Sequence, residues 1–201
     1  MLSAPANALE EKYERNFPAE CSTTSYCAFL TNTETGKTLV LNSGKITDID
    51  SNTSLFSSEI TEADLIKLGT LPEKQYSSRA SGSSSTTITP VKLTVGMDYQ
   101  FKGSQIKISR VFGSLQITNV KLWGTVSNSL LVAQDYITGH TLKRYPQNKP
   151  NSKFSYTTNW GWVPFSSGQL GAYALYDATF KIDGMSAKTT MTVKYVPEKA
   201  G

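Results

Sequence analysis

The sequence predicts a mainly β protein: an antiparallel β-sandwich, immunoglobulin-like or jelly-roll-like, with a small α+β segment at its N-terminus. Three observations carry this reading. Charged residues fill only 18% of 201 positions while Ser, Thr, Gly and Tyr are abundant, a balance that favours strands over helical bundles. Residues 90–201 hold about eight alternating runs between turn residues, with no helical pattern among them. The segment "SSRASGSSSTT", 77–87, is low-complexity Ser/Gly/Thr and marks a linker or long loop. The predicted organisation is an acidic α+β segment over 1–76, a linker over 77–89 and a basic sandwich domain over 90–201.

Along the first segment, "ANALEEKYERN" places Leu9 and Tyr13 four apart among charges, a weak amphipathic helix. "GKTLVLNSGKITDID" reads as two short strands around Asn42-Ser43-Gly44. "TEADLIKLG" reads as a short helix. Thr61 and Asp64 form a capping-box pattern, Leu65 and Leu68 supply the apolar stripe, and Gly69 stops it. In the second part "VKLTV", "YQFKG", "QIKISRVF", "LQITNVKLWGTV" and "LLVAQDYI" read as successive strands. "AYALYDATFKI" and "TTMTVKYV" flank "DGMSAK" as a hairpin. In the last strand Met191, Val193 and Tyr195 alternate with Thr192 and Lys194, which predicts one apolar and one wet face.

Charge divides at the Ser-rich segment. Residues 1–89 carry seven Lys/Arg against eleven Asp/Glu, and residues 90–201 carry thirteen against five. An acidic and a basic part in one chain point to an interaction of the basic part with anions. Cys21 and Cys27 are the only cysteines. Their spacing fits neither a cysteine zinc site nor a C-x-x-C redox motif, so a small disulfide loop is expected. Ala6-Asn7-Ala8 has the form of a signal-peptidase site, and a disulfide agrees with export. A secreted or cell-surface location is expected.

The stretch "SKFSYTTNWGWVPF", 152–165, holds two of the three tryptophans. Taken as one regular strand, it puts Phe154, Tyr156, Thr158, Trp160 and Trp162 on a single face. Such a row stacks on sugar rings, dips into a membrane interface, or builds the inner face of a sandwich. A mixed arrangement, with Trp160 exposed near the strand end and Trp162 buried, also fits. Trp123 reads as core. Just upstream, "HTLKRYPQNKPNSK" interleaves Lys143, Arg144, Lys149 and Lys153 with Tyr145, Pro146 and Pro150. In an exported protein this cluster suits teichoic acids, anionic lipids or sulfated glycans rather than nucleic acid.

Catalytic signals are sparse. His140, the one histidine, follows Gly139 and suits a surface turn, and no G-x-S-x-G elbow accompanies it. Asp177 sits mid-strand in "ALYDATF" and is expected on the wet face, because Asp is seldom buried. No Walker loop, dinucleotide fingerprint, EF-hand or H-E-x-x-H occurs, so no cofactor or metal is expected. The sequence therefore points to a secreted, non-enzymatic bacterial protein that binds a cell-surface glycan or anionic wall polymer. The expected ligand contacts are Tyr156, Trp160 and Trp162 with Lys143, Arg144, Tyr145, Lys149 and Lys153. A second reading is a membrane-active toxin whose acidic segment is a pro-piece cleaved near Arg79, with an anionic membrane as partner. A third is a wall-directed hydrolase using Asp135 or Asp177, and a fourth a structural surface or matrix protein with no small ligand.

Overall fold

The alternating runs become twelve strands and two short helices in the computed structural model, which describes residues 17–72, 91–117, 124–165 and 171–198. In chain order these are α1 (Ala19–Ser22), β1 (Tyr26–Asn32), β2 (Thr38–Leu41), β3 (Gly44–Asp50), β4 (Thr53–Ile60) and α2 (Glu62–Leu68). They continue with β5 (Val91–Lys102), β6 (Gln105–Ile117), β7 (Gly124–Asp135), β8 (Thr141–Arg144), β9 (Ser152–Thr157), β10 (Val163–Pro164), β11 (Ala172–Ile182) and β12 (Thr189–Tyr195). The first sheet runs β2-β1-β12-β11-β7-β8 and the second β10-β6-β5-β4-β3, with β9 also on β6. Every pairing is antiparallel. The protein is a β-sandwich, as its alternation predicts.

The helix over 62–68 and the hairpin between β11 and β12 form where the sequence puts them. Thr61 accepts from the Asp64 amide while the Asp64 carboxylate accepts from the Thr61 amide, and Gly69 closes the helix at φ 80°. The expected helix over 6–16, the Ala6-Asn7-Ala8 site, residues 77–89 with Arg79, and Trp123 lie outside the described residues.

The strand count is where the reading of the second part departs. "VKLTV" and "YQFKG" are one twelve-residue strand, β5, and "QIKISRVF" runs on to Ile117 as β6. Gly96 and Gly113 read as breaks, yet both lie inside strands. Each leaves space for a ring: a Cβ on Gly96 would come 2.5 Å from Phe112, and one on Gly113 would come 2.6 Å from Phe154.

The predicted boundary between an N-terminal segment and a sandwich domain does not divide the sheets. β1 lies between β2 and β12, and β4 lies between β3 and β5. The strands either side of Asn42-Ser43 do not pair with each other: β2 belongs to the first sheet and β3 to the second. Residues 26–60 thus supply four of the twelve described strands, two to each sheet.

The core between the sheets is built from Leu30, Phe56, Leu93, Val95, Met97, Ile106, Val111, Tyr176, Phe180, Met191 and Val193, all at most 1% exposed. Outside the first sheet a second apolar layer forms around Val132, Tyr173, Leu175 and Val196, with Phe17 packed against it. Cys21, Cys27 and Phe29 make a third cluster on the same side, and the Cys21–Cys27 disulfide is formed.

This layer overturns two expectations. The face of Thr192 and Lys194 is not wet: Thr192 is fully buried and Lys194 is 4% exposed. Asp177 is likewise buried, at 7%, and accepts from Thr192 Oγ1 at 2.7 Å. The reason is tertiary. The segment carrying α1 lies over the sheet, Lys194 Nζ donates to the Cys21 carbonyl at 3.1 Å, and its amine stands 4.9 Å over the Phe17 ring.

Candidate functional site

Register places the turns at two poles. Tyr26 pairs Tyr195, Tyr195 pairs Ala174, and Ala172 pairs Asp135, so the start of β1 and the β7–β8 turn share one pole. The β1–β2 and β11–β12 turns occupy the other, where the Thr33 amide donates to the Lys188 carbonyl. The segment 145–151 leaves β8, at one margin of the first sheet, and reaches β9 on the second. The basic cluster is therefore the strap that crosses the open side of the sandwich.

A groove of about 520 Å³ lies along this strap. It is lined by Gln147, Lys149, Pro150, Asn151, Lys153 and Tyr156, with Ser152, Phe154 and Ser155 completing its walls. The strap is held in shape by two amides. Asn151 takes φ 58° and its side-chain oxygen accepts from the Ile117 amide, while Asn148 Nδ2 donates to the Ser127 carbonyl. Asn tolerates positive φ better than other residues with a Cβ, which suits it to this bend. Lys149 and Lys153 are exposed, and no ion pair engages them among the described residues. The lining contains no carboxylate among the described residues. Its inner wall is aromatic: Phe154 and Tyr156 are half-buried, stack at 6.0 Å, and pack against the core, with Phe154 edge-on to Tyr176 at 4.7 Å.

The expected contact residues do not all meet. Lys149, Lys153 and Tyr156 line the groove. Lys143, Arg144 and Tyr145 stand exposed at the start of the strap, with the Lys143 ammonium 5.8 Å from the Tyr145 ring centre. Trp160 and Trp162 are elsewhere. The aromatic run does not continue as one strand: β9 ends at Thr157, and Asn159 turns the chain at φ 58°. Thr158 Oγ1 donates to the Ile108 carbonyl, and Trp160 goes inward to 8% exposure. Trp162 emerges at 39%. The single aromatic face is thus split, and the two tryptophans take the reverse of the mixed arrangement set out above. Lys153 pairs Ser114 and Val163 pairs Ile106, eight residues apart along β6, so at about 3.3 Å per residue Trp162 stands more than roughly 20 Å from the lysines.

The residues considered for catalysis have structural partners. Asp135 is fully buried and closes the β7–β8 turn, accepting from the Ile137 and Thr138 amides and from the Thr138 hydroxyl. His140 is half-exposed on that turn as expected, with Nδ1 against Thr138 Oγ1 and the ring stacked 5.6 Å from Trp160. The sequence reading missed this stack, since His140 and Trp160 are twenty residues apart and meet only because β8 and β9 sit on facing sheets. Asp177 is occupied by Thr192. No group of three or more His, Cys, Asp or Glu with metal-site geometry occurs among the described residues. Nor, among them, is any helix long and apolar enough to cross a membrane.

No family model, curated protein or solved structure matches the chain.

Proposed function

We propose that the protein is a secreted, non-enzymatic binding protein that holds an anionic glycan or wall polymer at a cell surface, in the groove along residues 147–156. One observation carries the reading. Among the described residues the groove joins two lysines that no ion pair engages, amides, hydroxyls and an aromatic wall, with no carboxylate in its lining. Ammonium groups attract sulfate, carboxylate or phosphodiester charges, amides and hydroxyls bond sugar hydroxyls, and an aromatic ring offers an apolar surface to sugar CH groups. Lys143, Arg144 and Tyr145 extend the same exposed, basic surface along the polymer's path. The Cys21–Cys27 disulfide supports an oxidising compartment.

Titration calorimetry with a sulfated glycan, a phosphodiester wall polymer and a neutral dextran tests this. The expected result is binding of the anionic polymers that weakens with salt and falls at least tenfold in the Lys149→Ala/Lys153→Ala double variant. Equal binding of dextran, or no effect of the lysines, would overturn the reading.

A further inference from the structure

Among the described residues β9 is hydrogen-bonded on one side only, to β6. One bond tells which of its residues face the free side. The Thr158 amide donates to the Ser109 carbonyl, and these two residues continue the register in which Thr157 pairs Arg110. In an antiparallel ladder, bonded pairs alternate with non-bonded ones. Ser152, Phe154 and Tyr156 therefore direct their amides and carbonyls at β6, and Lys153, Ser155 and Thr157 direct theirs away from it. The Ile117 amide agrees: two residues on from Leu115, which pairs Ser152, it leaves the same side of β6 to meet the Asn151 side chain. No hydrogen bond engages the backbone of Lys153 or Ser155 among the described residues. We infer that the groove takes an extended peptide as an added strand on β9, with acidic and apolar residues alternating along that peptide.

The groove follows this free margin. Its lining includes every residue from Ser152 to Tyr156. Side chains alternate faces along a strand, so a pocket against one face takes every second residue. A pocket that takes them all runs along the edge. Gln147, Lys149, Pro150 and Asn151 of the strap complete it. The unpaired amides and carbonyls of Lys153 and Ser155 repeat every second residue, about 7 Å apart. A peptide in β conformation presents donors and acceptors at the same repeat, which is how an exposed sheet edge captures a strand. A sugar chain has no such backbone.

The other margins are guarded. The Phe165 amide donates to the Ser104 carbonyl, so the outward residue of β10 is Pro164, which has no N–H to offer. β3 has a register shift between Asp48 and Asp50, and β2 and β8 are four residues each. At β9 the guard is selective: Lys153 repels the β9 of a second copy and attracts carboxylates. On the added strand, side chains level with Lys153 share its outer face, and those between them lie beside Phe154 and Tyr156, the half-buried aromatic wall. Carboxylates suit the first set and apolar groups the second. The inference goes beyond the polymer reading, with which it shares the groove and its two lysines.

Calorimetry with an end-blocked octapeptide of alternating Glu and Val, run beside the phosphodiester wall polymer, tests this. Peptide binding is expected to weaken with salt. It falls at least tenfold when the peptide's backbone nitrogens are methylated, which removes donors and leaves the charge unchanged. Ser155→Pro, which removes an outward amide of β9, weakens it to a similar degree, and matching circular dichroism melts verify the fold of the variant. Amide hydrogen exchange followed by NMR locates the strand. In the free protein Lys153 and Ser155 exchange fast and Phe154 and Tyr156 slowly, and the peptide slows the first pair. Absence of peptide binding, equal binding of the methylated peptide, undiminished binding by Ser155→Pro, or exchange at Lys153 and Ser155 that the peptide leaves unchanged would each overturn the inference. Polymer binding without peptide binding would sink the added strand alone, and peptide binding without polymer binding would sink the polymer reading alone.

Discussion

Lys194 Nζ donates to the backbone carbonyl of Cys21 at 3.1 Å, tying the disulfide loop to the outer face of the first sheet. A second bond reaches the Thr24 carbonyl. Burial holds the amine's pKa below its ordinary value. Removing it leaves two carbonyls without a donor beneath the α1 segment. Lys194→Ala is expected to lower stability by about 1–3 kcal/mol in urea titrations. It also exposes Cys21–Cys27, so reduction by dithiothreitol becomes faster than in the parent protein. An unchanged reduction rate would show that the clip does not shield the bridge.

Gly113 lies beneath Phe154. A methyl group there would come 2.5 Å from the Thr94 carbonyl oxygen and 2.6 Å from the ring. Backbone does not step aside as a flexible side-chain end does. Gly113→Ala is therefore expected to cost about 1–3 kcal/mol of stability. Because Phe154 also forms the groove's inner wall, the same change weakens anionic-polymer binding while Lys149 and Lys153 are intact.

Two buried phenols predict alkaline sensitivity. Burial pushes Tyr176 up to about 12, and it pushes Tyr195 up as well. Each group keeps its proton in the folded state after the unfolded chain begins to lose it near the ordinary value of 10.0. Their contribution is full below pH 10 and fades as pH rises towards the folded values, by up to about 3 kcal/mol for Tyr176. Thermal melts at pH 9 and pH 11 should show a drop that is smaller in Tyr176→Phe.

The interleaving of early and late strands predicts that the chain complements itself when split. Pieces 1–76 and 90–201, produced together, are expected to co-purify and to melt as one unit, since β1 lies between β2 and β12. Both cysteines are in the first piece, so no covalent bond joins them. Independent elution of a folded 90–201 piece would instead support a removable pro-segment.

Sequence by itself determined the kind of protein this is. Alternation of apolar and polar residues dictates strands, the Thr61–Asp64 pair and Gly69 dictate where a short helix begins and ends, and the cysteine spacing dictates a local bridge. These are local rules, and they operate here within a few residues. It also located the basic strap, because a cluster of lysines and an arginine interleaved with prolines is legible without coordinates.

Tertiary structure decided what each surface faces. Lys194, Thr192 and Asp177 read as wet from their own strands. Lys194 is buried because a segment some 170 residues away in sequence lies over it, and Thr192 and Asp177 are buried beside it, bonded to each other next to Phe29. Trp160 and Trp162 read as one face, and they separate because Asn159 takes a positive φ and Thr158 docks on the Ile108 carbonyl. Periodicity reports which side of a strand is apolar, whereas strand order and the layer packed above decide whether that side meets core, solvent or a partner.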